Sequence, residues 1–150
     1  MIRQDDLELN LSAELPFEEF ACKLFCLFYF SEQIINTFYD PDTIIDRTLR
    51  FLNKGWINCE LAVYGIVNTK AILVDLQVPV KAVKTASASY RCKPNELEIL
   101  KLTKPGYMHF VPGDGHGNYT WDSLGLRPGQ DDYKLTAKRI IVLEDNWHEK

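Results

Sequence analysis

A run that is apolar on nearly every side limits what this chain can become. From Pro16 to about Phe38 the residues Phe20, Leu24, Phe25, Leu27, Phe28, Ile34, Ile35 and Phe38 recur at helical spacing without a polar stripe through the middle. A helix of this kind needs cover all round, so the rest of the chain is expected to wrap it. Its 150 residues, 46% hydrophobic and 25% charged, are enough for one domain with a substantial core.

Helices come first along the chain and strands second. Asp40 is the candidate cap and Pro41 the first residue of a second helix, with Ile44, Ile45, Leu49 and Leu52 as its buried stripe and Gly55 as its end. A connection then passes through Trp56. Leu61 to Val78 fits more than one assignment: Ala62 to Val67 suits strand or loop, and Asn68 suits the cap of a short helix carrying Ile72, Leu73 and Leu76, closed by Pro79. Val80 to Ala86, Glu96 to Leu102, Gly106 to Val111, Asn118 to Asp122 and Lys138 to Leu143 read as strands separated by proline- and glycine-bearing turns. Near the N-terminus, Leu7, Leu9 and Leu11 alternate as in a short edge strand or extended arm. The segregation predicts an α+β fold over residues 1–150, its N-terminal helices packed on one face of a C-terminal antiparallel sheet of roughly four or five strands.

Charge and composition narrow the function. The net charge is −4 and the basic residues are scattered among acidic ones, so no surface for a phosphate backbone is expected and nucleic acid is not an expected partner. Met1 to Asp6 has no basic stretch leading into an apolar one, and the block Leu24 to Phe30 is far too short to span a bilayer, so no membrane association and a cytoplasmic location are expected. Four cysteines, Cys22, Cys26, Cys59 and Cys92, are few for a disulfide scaffold and are expected to be reduced thiols.

Two polar residues stand out in the stretch from Gly106 to Gly125. Tyr107 to Val111 and Tyr119 to Asp122 flank the glycine-rich connection Gly113-Asp114-Gly115-His116-Gly117-Asn118, a hairpin pattern. If Val111 pairs with Thr120, His109 stands opposite Asp122 on the same sheet face, whereas a slip of one residue separates them. A carboxylate beside an imidazole fixes its tautomer and stabilises its charged form, as a general base requires. Such a base needs a nucleophile. Cys22 and Cys26 lie four residues apart on one helical face, and Cys22 is nearer the helix start, where backbone dipoles favour a thiolate. The alternative is that both are small apolar core residues.

Cys22 in an Ala-Cys-x-x-x-Cys-Leu helix, Gly55-Trp56-Ile57 after a second helix, His109-Phe110-Val111, then Gly-Asp-Gly and Trp121-Asp122-Ser123-Leu124-Gly125 together resemble papain-like cysteine peptidases, in particular the group that processes bacteriocins with double-glycine leaders. The resemblance runs from about residue 20 to 125 and implies a papain-like fold with Cys22 as nucleophile, His109 as general base and Asp122 as orienting acid. Ala21 stands in place of the family's glycine and Ser123 in place of its proline. Pro16 occupies the position of the glutamine that donates to the oxyanion, and Gln4, the only glutamine before Cys22, is the candidate replacement. The implied activity is cleavage of a peptide or peptide-like amide through an acyl-thioester, or acyl transfer to an amine, with no metal or organic cofactor. A catalytically inactive papain-like module that binds a peptide or protein partner is the alternative.

Other residues carry weaker signals. A zinc set of Cys22, Cys26, His109 and His116 lacks closely spaced cysteine pairs. The Asp114 to Asn118 run lacks the alternating carboxylates of a calcium loop, and a tight turn explains its glycines. His116 and His148 are expected to be exposed, and Trp56 and Trp121 are expected in the core or along a cleft.

Overall fold

A computed structural model describes residues 21–60, 63–120 and 133–145. Helix α1 (Ala21–Ile35) leads to α2 (Pro41–Asn53), then to strands β1 (Ile57–Glu60) and β2 (Val63–Ile66) and to the short helix α3 (Thr69–Asp75). Strands β3 (Val80–Ser87), β4 (Glu96–Lys104), β5 (Tyr107–Pro112) and β6 (Lys134–Leu143) come after it. The last four form one antiparallel sheet in the order β3-β6-β4-β5, while β1 and β2 make a separate two-stranded sheet. The fold is mixed α+β.

Local chemistry sets the helix boundaries. Asn36 adopts φ 53, a left-handed conformation that asparagine tolerates, and this stops α1 before Phe38, which is 60% exposed rather than the last buried residue of the helix. The Asp40 side chain accepts from Thr43 N at 2.8 Å, and Pro41 opens α2 with its missing N–H at no cost. At the other end Gly55, at φ 76, lets its N–H reach Leu52 O and the Trp56 N–H reach Phe51 O. The fully buried residues of α2 are Ile44, Thr48 and Phe51; of the expected stripe, Ile44 is buried and Ile45 and Leu52 pack against the core at partial burial, while Leu49 is 46% exposed. Thr48 can be buried because its hydroxyl donates to Ile44 O at 2.7 Å within the helix. Asn68 caps α3 by accepting from Ala71 N at 3.0 Å.

Helix α1 is indeed buried through its middle: Leu24, Phe25, Leu27 and Phe28 have no exposure. Phe28 meets Tyr39 edge-on at 5.1 Å between ring centroids, and Phe51 at 6.4 Å. Its two buried polar side chains are satisfied: the Ser31 hydroxyl donates to Leu76 O at 2.6 Å and shares a 2.7 Å hydrogen bond with the Tyr39 hydroxyl, and Glu32 Oε2 accepts from Tyr39 N at 2.8 Å. This core extends to Ile99, Phe110, Ile141 and Leu143, with Leu97 and Val83 packed on it. In the register of the sheet, Leu97 and Ile99 of β4, Phe110 of β5, Ile141 of β6 and Val83 of β3 share one face. The helices cover that face.

A buried ion pair under a glycine collar, and the candidate catalytic residues

The other face of the sheet is also buried, but it is polar at its centre. Glu96, Glu98 and Leu100 alternate with the helix-facing Leu97 and Ile99, so Glu98 points away from the helices, with no exposure. A carboxylate withdrawn from water this fully needs its charge matched and its lone pairs filled. Lys138, its diagonal neighbour on β6, places Nζ 2.7 Å from Glu98 Oε1 and also donates to Tyr90 O at 2.7 Å. The N–H groups of Gly115 and Gly117 donate to Glu98 Oε2 at 2.8 and 3.0 Å.

That arrangement accounts for the glycines. Gly113 lies beside Glu98, and a Cβ there would fall against Oε2 and within 2.7 Å of Cγ. Gly115 and Gly117 take φ +91 and +88, which turns their N–H groups onto the carboxylate. The loop is closed from within by Asp114, whose side chain accepts from His116 N at 2.8 Å and from Asn118 N and Nδ2, each at 3.2 Å. These N–H bonds hold the Asp114 carboxyl below the ordinary carboxylate range.

A neighbouring network fixes the segment before β4. Tyr90 donates its hydroxyl proton to Glu96 Oε1 at 2.7 Å, Lys93 N donates to the same oxygen at 2.9 Å, and Lys84 Nζ stands 3.3 Å from Oε2. Burial works to raise the Glu96 pKa, but the Lys93, Tyr90 and Lys84 bonds outweigh it and the net shift is downward. Between this segment and the glycine loop runs an open cleft of about 440 Å³, lined by Cys92, Lys93, Pro94, Leu97, Asp114 and His116 among others. Burial, then the negative charges of Glu98 and Glu96, push the Cys92 thiol up to about 11, so it is a protonated thiol at neutral pH.

The residues expected to form a triad are not assembled among the described residues. Cys22 is 7% exposed and belongs to the same apolar core as Ile99, Phe110 and Ile141, on the helix-covered face. His109 is 3% exposed and lies directly opposite Leu102, next along β5 from Phe110. Since consecutive residues of a strand point to opposite faces, the His109 side chain leaves the sheet on the side away from α1, and its ring lies 6.3 Å from that of Tyr133. The hairpin register also differs from the one that would set His109 against Asp122. Gly113 bridges to Tyr119, and Thr120 N donates to Pro112 O at 2.9 Å, so Thr120 stands opposite Pro112 rather than Val111. That is the one-residue slip, and the hydrogen bonds from Gly115 and Gly117 to Glu98 fix the loop in it. Asp122 and Gln4 lie outside the described residues, as do Trp121 and His148. His116 is exposed at the cleft rim. Among the described residues no three histidine, cysteine or acidic side chains come together as a metal set.

Glu98 and Lys138 do not stand out by motif, yet a signal exists for Glu98, which interrupts the apolar strand Leu97-Glu98-Ile99-Leu100; Lys138 stands beside Arg139 ahead of Ile140-Ile141 and carries no such signal.

The fold and this site define a small α+β domain whose sheet is helix-covered on one face and closed by a glycine loop over a buried ion pair on the other. The chain belongs to the family described as protein of unknown function, DUF261, whose family model matches residues 2–143. No curated protein and no solved structure matches it. Among the described residues no helix is long and apolar enough to cross a membrane.

Proposed function

We propose that this domain is a binding module for a peptide or protein partner and that Cys22 does not serve it as a nucleophile. The observation that carries the proposal is the placement of Cys22 and His109 on opposite sides of the sheet, each almost without exposure. A general base must come within hydrogen-bond reach of the nucleophile it activates, directly or through one water, and a four-stranded sheet stands between these two. The likeness to papain-like peptidases then concerns layout: a cysteine-bearing helix laid against an antiparallel sheet, in a descendant that keeps the arrangement without the catalytic pair. The cleft between Cys92–Leu97 and the glycine loop is the binding surface we assign, because its walls are already held by internal bonds and exposed Lys93 and Pro94 line it.

A peptide array probed with the intact protein tests this, with the bound peptides recovered and weighed. Peptides retained uncut, with retention unchanged in Cys22→Ala and reduced in Lys93→Glu at the cleft, are the expected result. Peptides recovered as two fragments, with cleavage lost in Cys22→Ala, would restore the peptidase.

A further inference from the structure

The helix-covered face holds a second polar feature. Lys101 stands directly opposite Phe110, and Arg139 stands opposite Ile99, one step along the same face. The Arg139 guanidinium lies over the Phe110 ring, 5.8 Å from its centroid. Lys23, in the first turn of α1 beside Cys22, is close enough to Arg139 for the two charges to repel. All three side chains are half-buried.

Elsewhere among the described residues, buried Lys138 has Glu98 and half-buried Arg47 has Asp75 at 2.7 Å, which exposed Arg50 also meets at 2.8 Å. Lys23, Lys101 and Arg139 form no ion pair among the described residues; Arg139 makes one long hydrogen bond, from Nη1 to Lys138 O at 3.4 Å. Burial lowers the Lys23 pKa and the Arg139 charge lowers it further, against smaller opposing contributions from Cys26 and Cys22, so Lys23 beside Arg139 carries an electrostatic cost.

We infer that Lys23, Lys101 and Arg139 form a binding site for a single oxyanion, a carboxylate or a phosphate group, seated against Phe110. An anion there offsets the repulsion between Lys23 and Arg139. The guanidinium supplies a planar fork of donors and is already oriented by the aromatic ring, while the two ammonium groups supply donors that rotate to suit. The recessed position admits one group at the end of a ligand rather than a run of phosphates, in keeping with the net charge of −4.

The test follows acylation of the Lys23 amine by mass spectrometry in the full chain. Inorganic phosphate in one arm and glutarate in another are compared with sodium chloride at equal ionic strength, on the order of 10 mM. One of the two oxyanions slows Lys23 acylation about tenfold relative to chloride while exposed Lys93 is unaffected, and the stronger arm tells phosphate from carboxylate. Arg139→Gln and, as a second variant, Lys101→Gln each remove the protection. Equal rates in all three salts for the unmutated protein, or protection that survives both substitutions, overturn the site.

Discussion

Glu98 and Lys138 meet at 2.7 Å on neighbouring strands, with side-chain exposures of 0% and 2%, and the glycine loop closes over them. Removing one partner leaves the other charge buried and uncompensated, which costs about 3–5 kcal/mol in such pairs. Lys138→Met and Glu98→Gln are each expected to lower the unfolding free energy by that order in urea titrations. The double variant is expected to lose far less than the sum, because it strands no charge.

Gly113 and Gly106 distinguish crowding from backbone strain. A Cβ at Gly113 meets the Glu98 side chain, whereas Gly106, at φ +79, has nothing within 4 Å of the same atom. Both alanine variants are expected to cost roughly 1–3 kcal/mol. Only Gly113→Ala is expected to displace the carboxylate, and amide hydrogen exchange at Gly115 and Gly117 reports it: faster in Gly113→Ala, unchanged in Gly106→Ala.

Cys92 is expected to be a slow thiol. Its pKa is raised to about 11 by burial and by the Glu98 and Glu96 charges, so alkylation followed by mass spectrometry should still be rising well above pH 9, whereas an ordinary thiol levels off past about 8.5. In linkage terms the folded value is raised, so its contribution to stability is full below the unfolded value and is lost as pH rises through the folded one.

The acid limb runs the other way. Glu96 is held below its ordinary value by the Lys93, Tyr90 and Lys84 bonds against the opposing effect of burial, and Asp114 by the His116 and Asn118 N–H groups. Depressed carboxyls contribute stability that is present above their unfolded values near 4 and is lost as pH falls through the folded ones. Urea midpoints measured from pH 6 to pH 3 are expected to fall steeply in the unmutated protein and less steeply in Glu96→Gln; exposed Asp114 adds little.

Much of the helical part was legible because its signals are local. Asp40-Pro41, Gly55 and Asn68 act through bonds within a few residues of themselves, and each does in the structure what its residue type suggests. The four main strands were also legible, with ends moved by up to four residues: β6 begins at Lys134 rather than Lys138. The hairpin β1–β2 was legible only in part, since Ile57–Glu60 reads as a connection through Trp56. Hydrophobicity alone misplaces Leu49 and passes over Thr48, because it takes no account of hydroxyl bonding to the preceding turn. The hairpin register depends on a residue far from the hairpin in sequence. Glu98 holds Gly115 and Gly117 and so sets which of Val111 and Pro112 faces Thr120, and no periodicity along residues 106–125 contains that information. His109 and Cys22 look like partners by residue type, and the strand parity that separates them comes from which neighbour, Phe110, the core demands.

The most direct measurement of the central claim is the alkylation rate of Cys22 from pH 4 to 9 in the unmutated protein and in His109→Ala. A thiol in an apolar core with a sheet between it and the imidazole reacts slowly across the range, at rates that His109→Ala leaves unchanged. Rapid reaction near pH 6 that disappears in His109→Ala would contradict the separation and establish Cys22 and His109 as a working dyad.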